Sequence, residues 1–126
     1  MAFEVGVVAR FTARHHLVGD FGPASQPHGH TYRVEASASG ASLGDDGALF
    51  DITLLQRALG EALRDIEGRD LNTVPRLATP NPTAEIVARY LFDGVAPALS
   101  NLGITTLRVS VWESDEAYAA YAATPG

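Results

Sequence analysis

His28-Gly29-His30-Thr31-Tyr32-Arg33-Val34-Glu35-Ala36-Ser37-Ala38 is the stretch whose reading decides the fold. From His30 onward, His30, Tyr32, Val34, Ala36 and Ala38 alternate with Thr31, Arg33, Glu35 and Ser37, the period of a half-buried antiparallel strand. With side chains alternating at period two, His28 points the same way as His30, and two imidazoles converge from one segment. A third comes from His15, inside the alternating run Phe3, Val5, Val7, Ala9, Phe11, Ala13, His15, Leu17, which would pair antiparallel with the first. Three neutral ring nitrogens on rigid strands suit Zn2+ and leave a fourth position open, the pattern of catalytic rather than structural zinc. Histidines at i, i+2 also arise by chance. Against scatter, all four histidines of the chain lie between positions 15 and 30. His16 alternates to the face opposite His15 and reads as a surface or packing residue, with an exchange of roles between the two neighbours as the alternative.

At 126 residues the chain is one domain, residues 1–126, large enough for a real core and too short for two. The 46% hydrophobic content and near-zero mean hydropathy fit a globular protein, and no apolar run approaches the roughly 20 residues of a membrane helix. The opening Met-Ala-Phe-Glu-Val reads directly as strand, with no basic segment and apolar core ahead of it, so the expectation is a cytoplasmic protein. Absence of cysteine excludes disulfides, thiolate metal sites and cysteine nucleophiles. A net charge of −6, with nine arginines and no lysine, argues against nucleic acid as a partner, because phosphate-backbone binding needs a basic surface. Single arginines near the metal could still meet an anionic small molecule.

Taken in order, residues 3–18 read as the first strand and Gly19 to Gln26 as a loop, with the second strand following Pro27. Gly40 to Gly47 is a turn. Asp51 caps a helix to about Ile66, whose apolar stripe is Ile52, Leu55, Leu59, Ala62, Leu63 and Ile66; proton transfer is the other role open to Asp51. Residues 68–81 are irregular, and Pro80-Asn81-Pro82 forbids a continuous helix there. A second helix starts near Pro82 or Thr83 with Ile86, Val87, Tyr90, Leu91 and Val95 inward, and Gly94 and Pro97 blur its end. Ile104 to Glu113 alternates as the third strand, with Glu113 on its apolar side, and Tyr118 to Tyr121 is a short fourth. The order β-β-α-α-β-β predicts an α+β layer, two helices on one antiparallel sheet, whose other face is covered by more protein or lines a barrel.

These residues together resemble the 6-pyruvoyl tetrahydropterin synthase and 6-carboxytetrahydropterin synthase family. Phe11-Thr12-Ala13-Arg14-His15 is similar to its F-x-A-x-H, His28-Gly29-His30 to its HGH, and Leu49-Phe50-Asp51 to its apolar-Asp segment. Leu71-Asn72 matches LN, Asn81-Pro82-Thr83-Ala84-Glu85 matches PTxE, and Trp112-Glu113-Ser114 stands where the family has K-E-T. Six motifs in order make the likeness specific. It implies the tunnelling fold (T-fold), whose subunits join their sheets into an oligomeric barrel, a hexamer or trimer with sites between subunits. It also implies zinc held by His15, His28 and His30, and a pterin gripped through its amino and ring N–H edge by Glu113, a two-donor face that a carboxylate accepts bidentately. Thr83 matches a threonine that helps hold the pterin, a role it shares here with capping the second helix. For Glu113 the plain alternative is an end-of-strand carboxylate in solvent.

The chemistry implied by the resemblance needs a cysteine and an aspartate–histidine pair to move protons on 7,8-dihydroneopterin triphosphate. The cysteine position, four residues before HGH, is Ala24, and the L-D-H before LN is Ile66-Glu67-Gly68. No histidine follows His30 to replace the missing one. Positioned acid–base groups are worth roughly 10² to 10⁴-fold in rate, so the family's standard reactions should be slow or absent, leaving a changed reaction on a related pterin or weak activity. Glu67 and Asp70 are the substitute catalytic carboxylates, with Asp20 and Ser25 as further loop candidates. Three readings follow: a zinc-dependent pterin enzyme with altered proton carriers, a pterin- or purine-binding protein without catalysis, and a different zinc lyase or hydrolase with Glu67 as base.

Overall fold

A computed structural model describes residues 1–126 and carries the expected alternation into one four-stranded sheet. Its strands are β1 (Phe3–His15), β2 (His28–Gly40), β3 (Thr106–Ser114) and β4 (Ala117–Ala123). They lie in the order β1-β2-β3-β4, every pair antiparallel. Three helices lie between β2 and β3: α1 (Ile52–Arg64), the one-turn α2 (Pro75–Ala78) and α3 (Ala84–Leu99). The expected order of elements holds, with α2 as an added turn inside the irregular segment 68–81. No helix is long and apolar enough to cross a membrane.

The period-two pattern produces a two-sided sheet. Tyr32, Val34, Ala36 and Ala38 of β2 are fully buried, as are Leu107, Val109 and Val111 of β3. Thr12, Arg14, Thr31, Arg33 and Arg108 project from the other, open face. Leu55, Leu59 and Leu63 of α1 and Val87, Leu91, Val95 and Leu99 of α3 close the buried face. Burying such side chains stabilises by roughly 1.5–3 kcal/mol each, which is why the apolar stripes choose this side. Asp51 caps α1 by accepting from Thr53 N–H at 3.0 Å, and it ends in solvent. Those Thr53 hydrogen bonds hold its carboxyl below the usual range.

Two features of α3 differ from the expectation of a blurred end. The helix runs through Gly94 and Pro97 to Leu99. Gly94 is a crossing point rather than a terminus: a Cβ there would stand 3.0 Å from Ala62 Cβ, so α1 and α3 approach closely because the side chain is absent. Pro97 lies in the last turn of the helix, where its missing N–H forfeits one helical hydrogen bond and the helix ends two residues later.

The first strand is shorter than predicted and ends at His15. Residues 67–70 then cover its outer edge, with Gly68 N–H donating to Thr12 O at 2.7 Å and Arg14 N–H to Arg69 O at 2.9 Å. β2 begins at His28 rather than His30, so both histidines of the HGH are strand residues.

Candidate metal centre

Strand register brings the three histidines together. His15 pairs with His28 across the β1–β2 ladder, and Ala13 pairs with His30. All three side chains therefore fall on the buried face at the end of two neighbouring strands. Ring centroids are 4.5 Å apart for His15 and His28, 5.1 Å for His15 and His30, and 4.8 Å for His28 and His30. One ring nitrogen from each lies within 4.8 Å of the others. His16 is outside this cluster.

Hydrogen bonds fix which nitrogen faces inward. His15 Nδ1–H donates to Pro82 O at 2.8 Å and His28 Nδ1–H donates to Gln26 O at 2.7 Å. A carbonyl only accepts, so both rings carry their proton on Nδ1 and keep the Nε2 lone pair. This is how metal-ligating imidazoles are oriented. His15 is 3% exposed and its Nε2 has no hydrogen-bond partner; His30 Nε2 is buried and equally without one. Leaving buried polar atoms unpaired costs about 1–3 kcal/mol each, and a cation at their convergence removes that cost. The residues present fit a three-histidine metal centre. Burial lowers the His30 pKa, the two neighbouring imidazoles push the same way, and the Glu113 charge opposes them. The neutral, ligating form of His30 is thus favoured.

Glu113 comes from β3. Its Oε2 stands 3.8 Å from His30 Nε2, and its side chain is 34% exposed. The β3–β4 register slips between Trp112 and Ser114, placing Glu113 on an irregularity of the ladder, a device that re-aims a side chain. With His28, His30, Pro23 and Ala24 it lines a cavity of about 320 Å³. Ala24 is therefore part of the wall of this cavity and presents a methyl to it. Tyr32 packs beneath, its ring 5.2 Å from His30, and its hydroxyl is buried without a partner. Burial and the Glu113 charge raise its pKa well above the tyrosine range, so it stays neutral.

The remaining predicted residues lie outside the histidine cluster, and most of them make local hydrogen bonds. Glu67 accepts from Thr12 N–H at 3.0 Å and from the Thr12 hydroxyl at 3.2 Å, on the face of β1 opposite Ala13 and His15. Gly68 has φ +73°, a left-handed conformation that a histidine adopts only with strain. Asp70 accepts from Asn72 N–H at 3.0 Å and starts the helical turn Leu71–Thr73. Ser25 donates to Gly19 O at 2.7 Å and accepts from Phe21 N–H, while Asp20 is exposed in the same loop. Thr83 caps α3 by accepting from Ile86 N–H at 3.2 Å. Thr83→Ala is expected to lower stability by about 1 kcal/mol in urea unfolding, and Thr83→Ser by much less, because serine keeps the cap.

Sequence reasoning passed over Gln26, Pro82, Asn72 and Asn81. Pro82 and Gln26 act through backbone carbonyls, which carry no residue-type signal. The asparagines were visible only as letters in the LN and PTxE motifs.

Comparison with known proteins agrees with this geometry. The family profile described as "6-pyruvoyl tetrahydropterin synthase" matches residues 4–124. A 6-carboxy-5,6,7,8-tetrahydropterin synthase of Bacillus subtilis is 30% identical, the match covering 95% of this chain and 85% of the relative. A 6-pyruvoyl tetrahydrobiopterin synthase of Dictyostelium discoideum is 28% identical over 88% of this chain and 89% of its own. Among solved structures, the Caenorhabditis elegans 6-pyruvoyl tetrahydropterin synthase superposes with a TM-score of 0.82 at 24% identity, covering 96% of this chain and 95% of that one. The Plasmodium falciparum protein of the same name gives 0.82 at 17% identity, with 98% of each chain covered. Fold, motif order and family profile converge, and the chain belongs to the 6-pyruvoyl tetrahydropterin synthase family.

Proposed function

We propose that the protein is a zinc-dependent pterin enzyme, of lyase type, acting on 7,8-dihydroneopterin triphosphate or a close relative with an altered set of proton carriers. The observation that carries this reading is the cluster of His15, His28 and His30, two of which, His28 and His30, line one cavity with Glu113. His15, His28 and His30 would hold Zn2+, which supplies polarisation of the substrate's side-chain oxygens. Glu113 would accept the pterin's amino and ring N–H donors, with Thr83 assisting at the start of α3. In this reading the enzyme works in the cytoplasm as a homo-oligomer, a hexamer or trimer, with its sites between subunits.

Proton transfer is where the chain departs from its family. Ala24 carries no proton, and Gly68 offers no side chain. Glu67 and Asp70 are the carboxylates proposed in their place. Either would have to leave its present hydrogen bonds, to Thr12 and Asn72, before moving a proton.

Incubating the zinc-loaded protein with 7,8-dihydroneopterin triphosphate and following products by mass spectrometry tests the proposal. Slow conversion to a side-chain-altered pterin is expected, with a rate lower by roughly the 10² to 10⁴-fold that positioned acid–base groups supply. Glu67→Gln and Asp70→Asn should slow it further. The methyl of Ala24 and the bare backbone of Gly68 favour one second reading, a pterin- or purine-binding protein without catalysis. Tight pterin binding with no product would select it.

A further inference from the structure

β1 stops at His15, yet the chain does not come loose there. His16 N–H donates to Asn72 Oδ1 at 2.9 Å, and Asn72 Nδ2 donates to His16 O at 3.0 Å. Two residues on, Val18 N–H donates to Asn81 Oδ1 at 2.7 Å, and Asn81 Nδ2 donates to Val18 O at 3.2 Å. Each side-chain amide thus reproduces the donor–acceptor pair that a neighbouring strand would present. Leu17 N–H, between them, reaches Ala24 O at 2.9 Å. Residues 16–18 are paired at every step without belonging to the sheet.

Asn81 has a second connection. The next residue, Pro82, is buried, and its carbonyl receives the Nδ1–H of His15. Thr83 N–H donates back to Asn81 O at 2.9 Å, which stiffens residues 81–83 as one unit. That unit grips the chain at two points, the His15 ring at the end of β1 and the backbone of Val18 beyond it. Moving Asn81 moves the carbonyl that orients the imidazole.

We infer that Asn81 is a positioning residue for the metal ligand His15: by clamping the Val18 backbone it fixes the Pro82 carbonyl, and with it the tautomer and aim of His15 Nε2. This rests on His15, His28 and His30 being metal ligands. Outer-shell partners of ligating histidines typically matter by about 10 to 100-fold in metal affinity, although they touch no metal themselves. Asn81 stands one bond further out and acts through the backbone it holds.

The test uses the full chain and the metal ions alone. Zinc affinity is measured by competition with a chromophoric chelator, the visible spectrum is recorded with Co2+ in place of zinc, and thermal unfolding is followed for the metal-free proteins. Asn81→Ala is expected to weaken zinc binding by about 10 to 100-fold and to change the intensity and position of the Co2+ bands. Asn81→Asp keeps the acceptor for Val18 N–H and loses the donor, so it should fall between Ala and wild type. It also serves if Asn81→Ala does not fold. Asp51→Ala removes a helix cap far along the chain and should lower thermal stability with metal affinity and spectrum unchanged. If both Asn81 variants lose thermal stability but keep wild-type zinc affinity and Co2+ spectrum, Asn81 is a scaffold residue only and the inference falls. If wild type itself takes up neither metal, the three-histidine reading falls and this inference with it.

Discussion

His30→Ala is expected to leave the protein unable to retain zinc through dialysis, while His16→Ala retains it at the wild-type ratio. Affinity should drop by well over the roughly 100-fold that losing an outer-shell partner can cost, because a ligand atom is removed rather than reoriented. Two imidazoles alone, His15 and His28, do not make the three-ligand set of a catalytic zinc. The contrast with His16 is the informative part. Both are histidines of the same short region, yet only His30 brings a ring nitrogen within 4.8 Å of the other two. Metal content by mass spectrometry after dialysis reads the outcome, and equal zinc in the two variants would remove the basis of the metal centre. Loss of zinc should also lower the unfolding temperature, since anything bound only by the folded state stabilises it.

Glu113→Ala should weaken pterin binding by about 2–5 kcal/mol, roughly 30- to several-thousand-fold, with the zinc content unchanged. In the proposed complex a charged acceptor would face two parallel N–H donors, and its removal would leave those donors without a partner. Glu113→Gln should be nearly as damaging despite its shape, because its amide turns one donor against another. Calorimetric titration with a stable pterin analogue measures both. Unchanged affinity in Glu113→Ala would make the carboxylate a neighbour of His30 and nothing more. Zinc content separates this outcome from a collapsed site, because Glu113 is not among the clustered ligands.

Much of this is legible in the sequence. The alternation through Tyr32, Val34, Ala36 and Ala38 put the histidines on a strand face, and period two alone made His28 and His30 neighbours. Asp51 announced the start of α1 because capping is local chemistry. Less legible were features set by distant partners. Nothing local says that β1 ends at His15, since Leu17 continues its alternation; the end is imposed by Asn72 and Asn81, more than fifty positions away. Gly94 looked like a helix breaker because its reason, the Ala62 side chain on α1, belongs to another element. Glu113 was placed on the right face by alternation, but its approach to His30 depends on the β2–β3 register and the slip in β3–β4. One-turn α2 has too few residues to show any period at all.

His15 closes β1 and His28 opens β2, so the loop joining them, which brings Pro23 and Ala24 to the cavity wall, is anchored at both ends by members of the histidine cluster. The strand histidines His28 and His30 share that wall with Pro23 and Ala24 of the span between, so ladder and loop each supply one side of the cavity. The arrangement is modular. A loop of the same span with another residue at position 24 would change that wall while the strand ladder, the histidine cluster and Glu113 stay in place. The loop side of the cavity is thus separable from the histidine cluster that faces it.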